Sequence, residues 1–264
     1  MDWPRSMVLV VVGLTAWMCG ATHSVALEKL RVFRGSLVLE GKIEKGDYAS
    51  VRSFLRDKSN FQKISNGVFL ASPGGNVREA LQIGYLIRAL KLSTEAPSLP
   101  PREKRAFGSS AFDPADLTNR LNFQCASACF LIYVAGIERK LNWIGRLGVH
   151  EPCLETKPLG ASEADTKIAS TEIRGVTKIY LDRMDVPNKY LELIYSVPSN
   201  DVRWITQLEF DADLRGYIPE VRALLQAKCN VPHVAEKSDK ADRCAGNVMT
   251  ELRAEAWQKT FARD

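Results

Sequence analysis

Histidine is scarce in this chain of 264 residues: there are three, His23, His150 and His233. That scarcity narrows the catalytic options, because a general base working near neutral pH is most easily an imidazole. His23 falls in an amino-terminal leader and His233 in a polar segment near the tail, whereas His150 follows the apolar stretch Leu147-Gly148-Val149. If the chain uses a histidine base, His150 is the candidate; the alternative is a histidine held in a structural hydrogen bond. Dense Lys/Arg clusters are also missing. The net charge of +5 is spread out, with no aromatic-interleaved basic stripe, which argues against nucleic acid as a partner. No Cys or His pair at zinc-finger spacing complements Cys125 and Cys129, so no metal site is expected. Beyond the leader no stretch is long and apolar enough to cross a membrane.

The leader has a recognisable layout. Arg5 gives a positive start, Met7 to Ala21 is a mostly apolar run, and Ser24-Val25-Ala26 offers small residues where a signal peptidase reads. Residues 1–26 are therefore expected to be a secretory signal peptide, with an uncleaved anchor as the alternative. Export implies a periplasmic or secreted protein in an oxidising compartment, where Cys125, Cys129, Cys153, Cys229 and Cys244 can pair. Cys229 and Cys244 would close a loop of about 15 residues. A bond from Cys129 to Cys153 would tie the segment around Ser127 to the one after His150.

With 45% hydrophobic and 25% charged residues the remainder is ordinary globular sequence. We expect one domain over 27–228 and a polar carboxyl-terminal extension over 229–264 that ends in a helix near Val248 to Phe261. Leu30 to Gly41 alternates like a strand pair turning at Gly35. Helical spacing marks Lys45 to Asp57, Val77 to Leu92, Ala164 to Met184 and the stretch from Pro187. Gly67 to Ala71 and Leu147 to Val149 are short apolar strands, and Ala96 to Asp116 is a long polar loop. Cys125 to Ala135 is expected to be a buried helix ended by Gly136 and Ile137-Glu138-Arg139-Lys140. Strands alternating with helices indicate an α/β fold.

Two further groups carry chemical potential. Ser127 lies between two alanines at the start of the buried helix. Small neighbours admit a substrate, and helix amides favour a developing oxyanion; a helix-capping serine is the bland alternative. Ser72-Pro73-Gly74-Gly75 follows a strand, and paired glycines can turn backbone N–H groups outward.

Three blocks occur in order: "FLASPGGNVREALQIGYLIR", "CASACFLIYVAGIER" and "LGVHEP". Together they resemble the ClpP/crotonase superfamily, and within it the ClpP-like serine peptidases, over about Val68 to Gly216. The resemblance implies a ββα spiral with a helical carboxyl-terminal part. It implies Ser127 as nucleophile, His150 as base, and an oxyanion hole from the Gly75 and Ala128 amides with Gly74 shaping the turn. It implies Asp201 behind the histidine, with Asp182, Asp185 or a Ser–His dyad as alternatives, and Lys140 for a Ser–Lys dyad. A peptide or protein is the implied substrate, pairing with the strand edge near Ser72. No cofactor and no ATPase partner are expected, and the rings or trimers of relatives raise the option of a homo-oligomer. The competing reading is an inactive ClpP-like module that binds a peptide or partner protein. Crotonase-type acyl-CoA chemistry is the third, disfavoured by export.

Overall fold

The computed structural model describes residues 30–96, 124–141, 145–153, 163–230 and 239–262. The residues expected to form a signal peptide, His233, and most of the segment expected to be a polar loop before Gln124 lie outside the described residues. The chain is a mixed α/β protein, with two sheets among the described residues.

The larger sheet starts with the expected hairpin: β1 (Arg31–Phe33) and β2 (Ser36–Glu40) are antiparallel, turning at Arg34 and Gly35, both at positive φ. Helices α1 (Asp47–Arg56) and α2 (Lys58–Gln62) return the chain to β3 (Gly67–Ala71), parallel to β2. Helix α3 (Val77–Ala89) leads to β4 (Thr94–Ala96), parallel to β3. β6 (Glu138–Leu141) adds in parallel to β4, and β9 (Gly216–Tyr217) closes the edge antiparallel. The smaller sheet joins β5 (Gln124–Ala126) to β7 (Arg146–Val149) in parallel, and β7 to β8 (Arg203–Trp204) antiparallel.

Helix α4 (Ala128–Val134) is buried along its whole length. Its sequence, Ala-Cys-Phe-Leu-Ile-Tyr-Val, has no polar face, as a helix surrounded by protein requires. Each large side chain it buries contributes roughly 1.5–3 kcal/mol. Helix α5 (Glu163–Arg183) locks onto it: the buried Tyr180 hydroxyl donates to the Leu131 carbonyl at 2.7 Å. α6 (Lys189–Ser196), α7 (Gln207–Asp213) and α8 (Pro219–Cys229) follow.

Three sequence expectations need revision. The stretch from Cys125 is strand, turn and helix rather than one helix, because Gln124–Ala126 pairs with β7. Glu138–Leu141 is a strand instead of a helix terminator, its buried Arg139 satisfied by the carbonyls of Val134 and Met184. The carboxyl-terminal helix α9 begins well before Val248, spanning Asp239–Phe261, and packs back on the domain. Phe261 enters the main core, the Trp257 indole donates to the Leu55 carbonyl at 2.9 Å, and Val248 and Met249 join Ile218 and Val221 in a second cluster.

Cys229 and Cys244 are disulfide-bonded as their spacing suggested. Cys129 bonds Cys125, so the Cys129–Cys153 bridge does not form. Among the described residues no helix is long and apolar enough to cross a membrane. That and the two disulfides are compatible with a secreted or periplasmic protein.

Candidate active site

The three sequence blocks converge because three strand ends lie side by side. β3 runs on to Ser72, whose N–H donates to the Gln124 carbonyl (2.9 Å) and whose carbonyl accepts from Ala126 (3.0 Å). β5 pairs in parallel with β7, placing Ala126 opposite Gly148. One residue on, the Ser127 N–H donates to the Gly148 carbonyl at 2.9 Å. The glycine turn, Ser127 and His150 therefore leave neighbouring parallel strands at their carboxyl ends, the edge where α/β proteins place ligands. Ser72 spends both backbone groups on β5, so the added-strand pairing expected at that edge is blocked at Ser72 itself.

Ser127 is not a capping residue, since its hydroxyl makes no bond to the helix amides. Its backbone lies at φ 56° and ψ −124°. L-residues avoid that region; holding one there costs about 1–3 kcal/mol, and it persists only where the surroundings over-determine it. A strained strand-to-helix turn of this kind lifts a serine hydroxyl clear of the sheet toward a substrate. The reversal also brings the Cys125 and Cys129 Cα atoms to 5.1 Å, within disulfide reach across the serine.

The glycine turn is fixed from the opposite side. Gly74 and Gly75 take φ 105° and 136°, which side chains rarely allow. Gly74 donates to the Ser72 hydroxyl at 3.1 Å, and its carbonyl accepts from Ile43 at 2.8 Å. The Asn76 N–H then donates to the Ile43 carbonyl, and the Asn76 side chain caps α3 at the Glu79 amide. This parallel bridge uses the groups flanking Gly75 and leaves the Gly75 N–H pointing away from Ile43. Neither that N–H nor the Ala128 N–H, the first amide of α4, has an acceptor among the described residues. A methyl placed on Gly74 would stand 2.6 Å from Ser127 Cβ and 3.1 Å from Ala128 N. The Gly74 backbone is therefore packed directly against the Ser127 turn, with no room for a side chain.

His150 is half-buried, and its Nδ1 lies 2.7 Å from the Glu151 carbonyl oxygen. A carbonyl only accepts, so Nδ1 carries a proton, and a neutral ring in this tautomer would have its lone pair on Nε2, the form a base needs. The Glu151 N–H is anchored on the Val197 carbonyl at 2.9 Å. Ser127 and His150 line one cleft of about 20 Å³, room for roughly one water, walled by Val77, Leu131, Val149 and Ile194. No hydrogen bond joins their side chains directly. Catalytic hydrogen bonds commonly tighten when substrate fills such a cleft.

The candidate carboxylates have other partners. Asp201 is exposed; its N–H closes a turn on the Pro198 carbonyl, and its carboxylate accepts from the Val202 N–H at 2.7 Å. No hydrogen bond joins the Asp201 carboxylate to His150, although the β7–β8 register leaves residues 201 and 202 close to 150 and 151 in the chain pairing. Asp182 pairs with Lys178 and Asp185 with Arg88. Lys140 belongs to the larger sheet, where it pairs with Glu138 at 2.9 Å. Two participants escaped sequence reasoning. The Glu151 carbonyl has no side-chain signature, and the Cys125–Cys129 bond was obscured by reading a helix through both. No protein-family profile matches this chain, and no curated protein matches it.

Proposed function

We infer that this chain is an exported serine hydrolase acting on peptides, built as a ClpP/crotonase-like ββα spiral. The observation that carries the reading is the Ser127 backbone, which holds a non-glycine residue at φ 56° beside a histidine from the adjoining strand. A structural serine needs no such strain. The spiral is supported by the succession of parallel strands and covering helices through α1, α3 and α4, with a second sheet at their edge.

In this reading a peptide carbonyl enters the cleft above Ser127. His150 Nε2 takes the hydroxyl proton as Oγ attacks, and the Gly75 and Ala128 amides receive the oxyanion. The imidazolium returns its proton to the leaving amine. Water then hydrolyses the acyl-enzyme by the same route. The Glu151 carbonyl takes the place of a triad carboxylate in orienting the ring, making the pair a Ser–His dyad.

Treatment with a fluorophosphonate probe tests this. Wild type should be labelled, while Ser127→Ala should not be and His150→Ala should label far more slowly. A folded wild type that stays unlabelled would leave the second reading, a peptide- or partner-binding module. The outward-facing Asp201 and the unbonded Ser127 hydroxyl favour that module.

A further inference from the structure

We propose that the Cys125–Cys129 disulfide is a positioning device for the nucleophile, holding Ser127 in its strained conformation. This rests on the reading of Ser127 as nucleophile. The bond closes a short ring with Ser127 at its midpoint, two residues from either sulfur-bearing residue. One cysteine belongs to β5, whose register against β7 is fixed, and the other to the first turn of α4. Both are completely buried.

The remaining restraints on Ser127 are backbone hydrogen bonds. Its N–H meets Gly148, and its carbonyl accepts from Phe130 at 2.9 Å. Its side chain contributes no cap. Those bonds fix where the strand ends and where the helix begins. Each such bond contributes little net stability, no more than the strain it has to hold. The disulfide adds a covalent restraint, because it joins the two ends of the turn at a Cα–Cα distance of 5.1 Å and so narrows the conformations Ser127 can relax into. A relaxed turn would also swing the Ala128 amide, the next group along, away from Gly74.

The molecule supplies its own control. Cys229–Cys244 joins the end of α8 to α9, away from the cleft. Both bonds constrain the unfolded chain, so both should support stability. Only Cys125–Cys129 spans Ser127.

The test is the kinetics of fluorophosphonate labelling on the full chain, comparing wild type, C125A/C129A and C229A/C244A. The limiting rate at saturating probe and the final labelled fraction are read separately. A structural role alone removes folded protein and lowers the final fraction. A positioning role slows the limiting rate, here by at least about tenfold, while labelling still runs to completion. C229A/C244A should keep the wild-type rate within about twofold.

Should C125A/C129A lose its cooperative melting transition, the same rates are read on the intact protein after native reduction by a small dithiol. Reduction adds one hydrogen to each cysteine sulfur and leaves the dithiol as its cyclic disulfide. Alkylation and mass measurement identify the opened bond, and reoxidation with a disulfide reagent should restore the rate. An unchanged limiting rate with Cys125–Cys129 absent overturns the proposal while the hydrolase reading stands. A wild type that never labels overturns the hydrolase reading instead.

Discussion

The Ser127 amide is held by the carbonyl of Gly148, 2.9 Å away on the neighbouring strand, and Gly148 lies two residues before His150. One backbone bond thus ties the proposed nucleophile to the strand that carries its proposed base. Gly148 has no room for a side chain: an added Cβ would stand 2.6 Å from Val202 Cγ1 and 2.8 Å from the Trp204 ring. Gly148→Ala must push β7 and β8 apart and shift both reacting groups. We expect a stability loss of about 1–3 kcal/mol by denaturant unfolding. Labelling of the folded fraction should slow by roughly tenfold, since even a 1 Å misplacement is costly. Labelling at the wild-type rate would show that the strand pairing does not set the geometry.

Gly74→Ala probes the proposed oxyanion hole. Its methyl would stand 2.6 Å from Ser127 Cβ and 2.8 Å from the Ala126 carbonyl oxygen, so the turn carrying the Ala128 amide must shift. The loss should be at least on the order of a hundredfold in labelling rate, the scale for a missing oxyanion donor. Unfolding measurements should show a separate cost of about 1–3 kcal/mol, because alanine is strained at φ 105°.

Asp201→Asn distinguishes a triad from a dyad. In a triad, losing the charge behind the histidine costs about 10⁴-fold in turnover. Here the carboxylate meets the Val202 amide and solvent, whereas the ring is oriented by the Glu151 carbonyl. The labelling rate should therefore stay within about twofold of wild type. A thousandfold drop would mean that Asp201 swings onto His150 during reaction.

The larger periodicities were legible in sequence. The β1–β2 hairpin followed from alternation around Gly35, and α3 from its apolar spacing; both formed as expected. The mixed α/β class followed from the alternation of such segments. The short strands were hidden. Cys125-Ala126 are small residues that also suit a buried helix, and only pairing with Leu147 and Gly148 makes them extended. Arg139 looks like a surface residue in Glu-Arg-Lys, yet its guanidinium is buried against backbone carbonyls from two other segments. Strand character of this kind is decided by tertiary partners, which no local pattern records. The site was half visible for the same reason. Side chains announce Ser127 and His150, whereas the group orienting the ring is a backbone carbonyl that any residue at Glu151 would supply.

Removing the second disulfide should separate stability from chemistry. The chain-entropy relation gives about 3 kcal/mol for a loop of 15 residues. C229A/C244A should unfold at correspondingly lower denaturant concentration. The bond links α8 to α9, whose far end delivers Trp257 and Phe261 to the main core. Protection of the α9 amides from hydrogen exchange should fall more than that of α4. A uniform loss over both helices would mean that the two unfold as one unit.

Glu95 gives a pH signature with a defined sign. Burial raises its pKa above the ordinary carboxylate value, and the neighbouring Glu138 adds to the rise; Lys140, its register partner on β6, pulls the other way without cancelling it. The folded state therefore holds this proton more tightly than the unfolded chain does. The stability that follows is fully present below the unfolded pKa and is lost as pH rises through the folded pKa, so at pH 7 the ionised Glu95 is a cost. Glu95→Gln keeps the shape and removes the charge. The variant should be more stable than wild type at pH 7, with the difference shrinking to near zero below about pH 4, where both chains carry a neutral group. Thermal melts across that range check it. A variant less stable at neutral pH would mean that the Lys140 attraction outweighs burial.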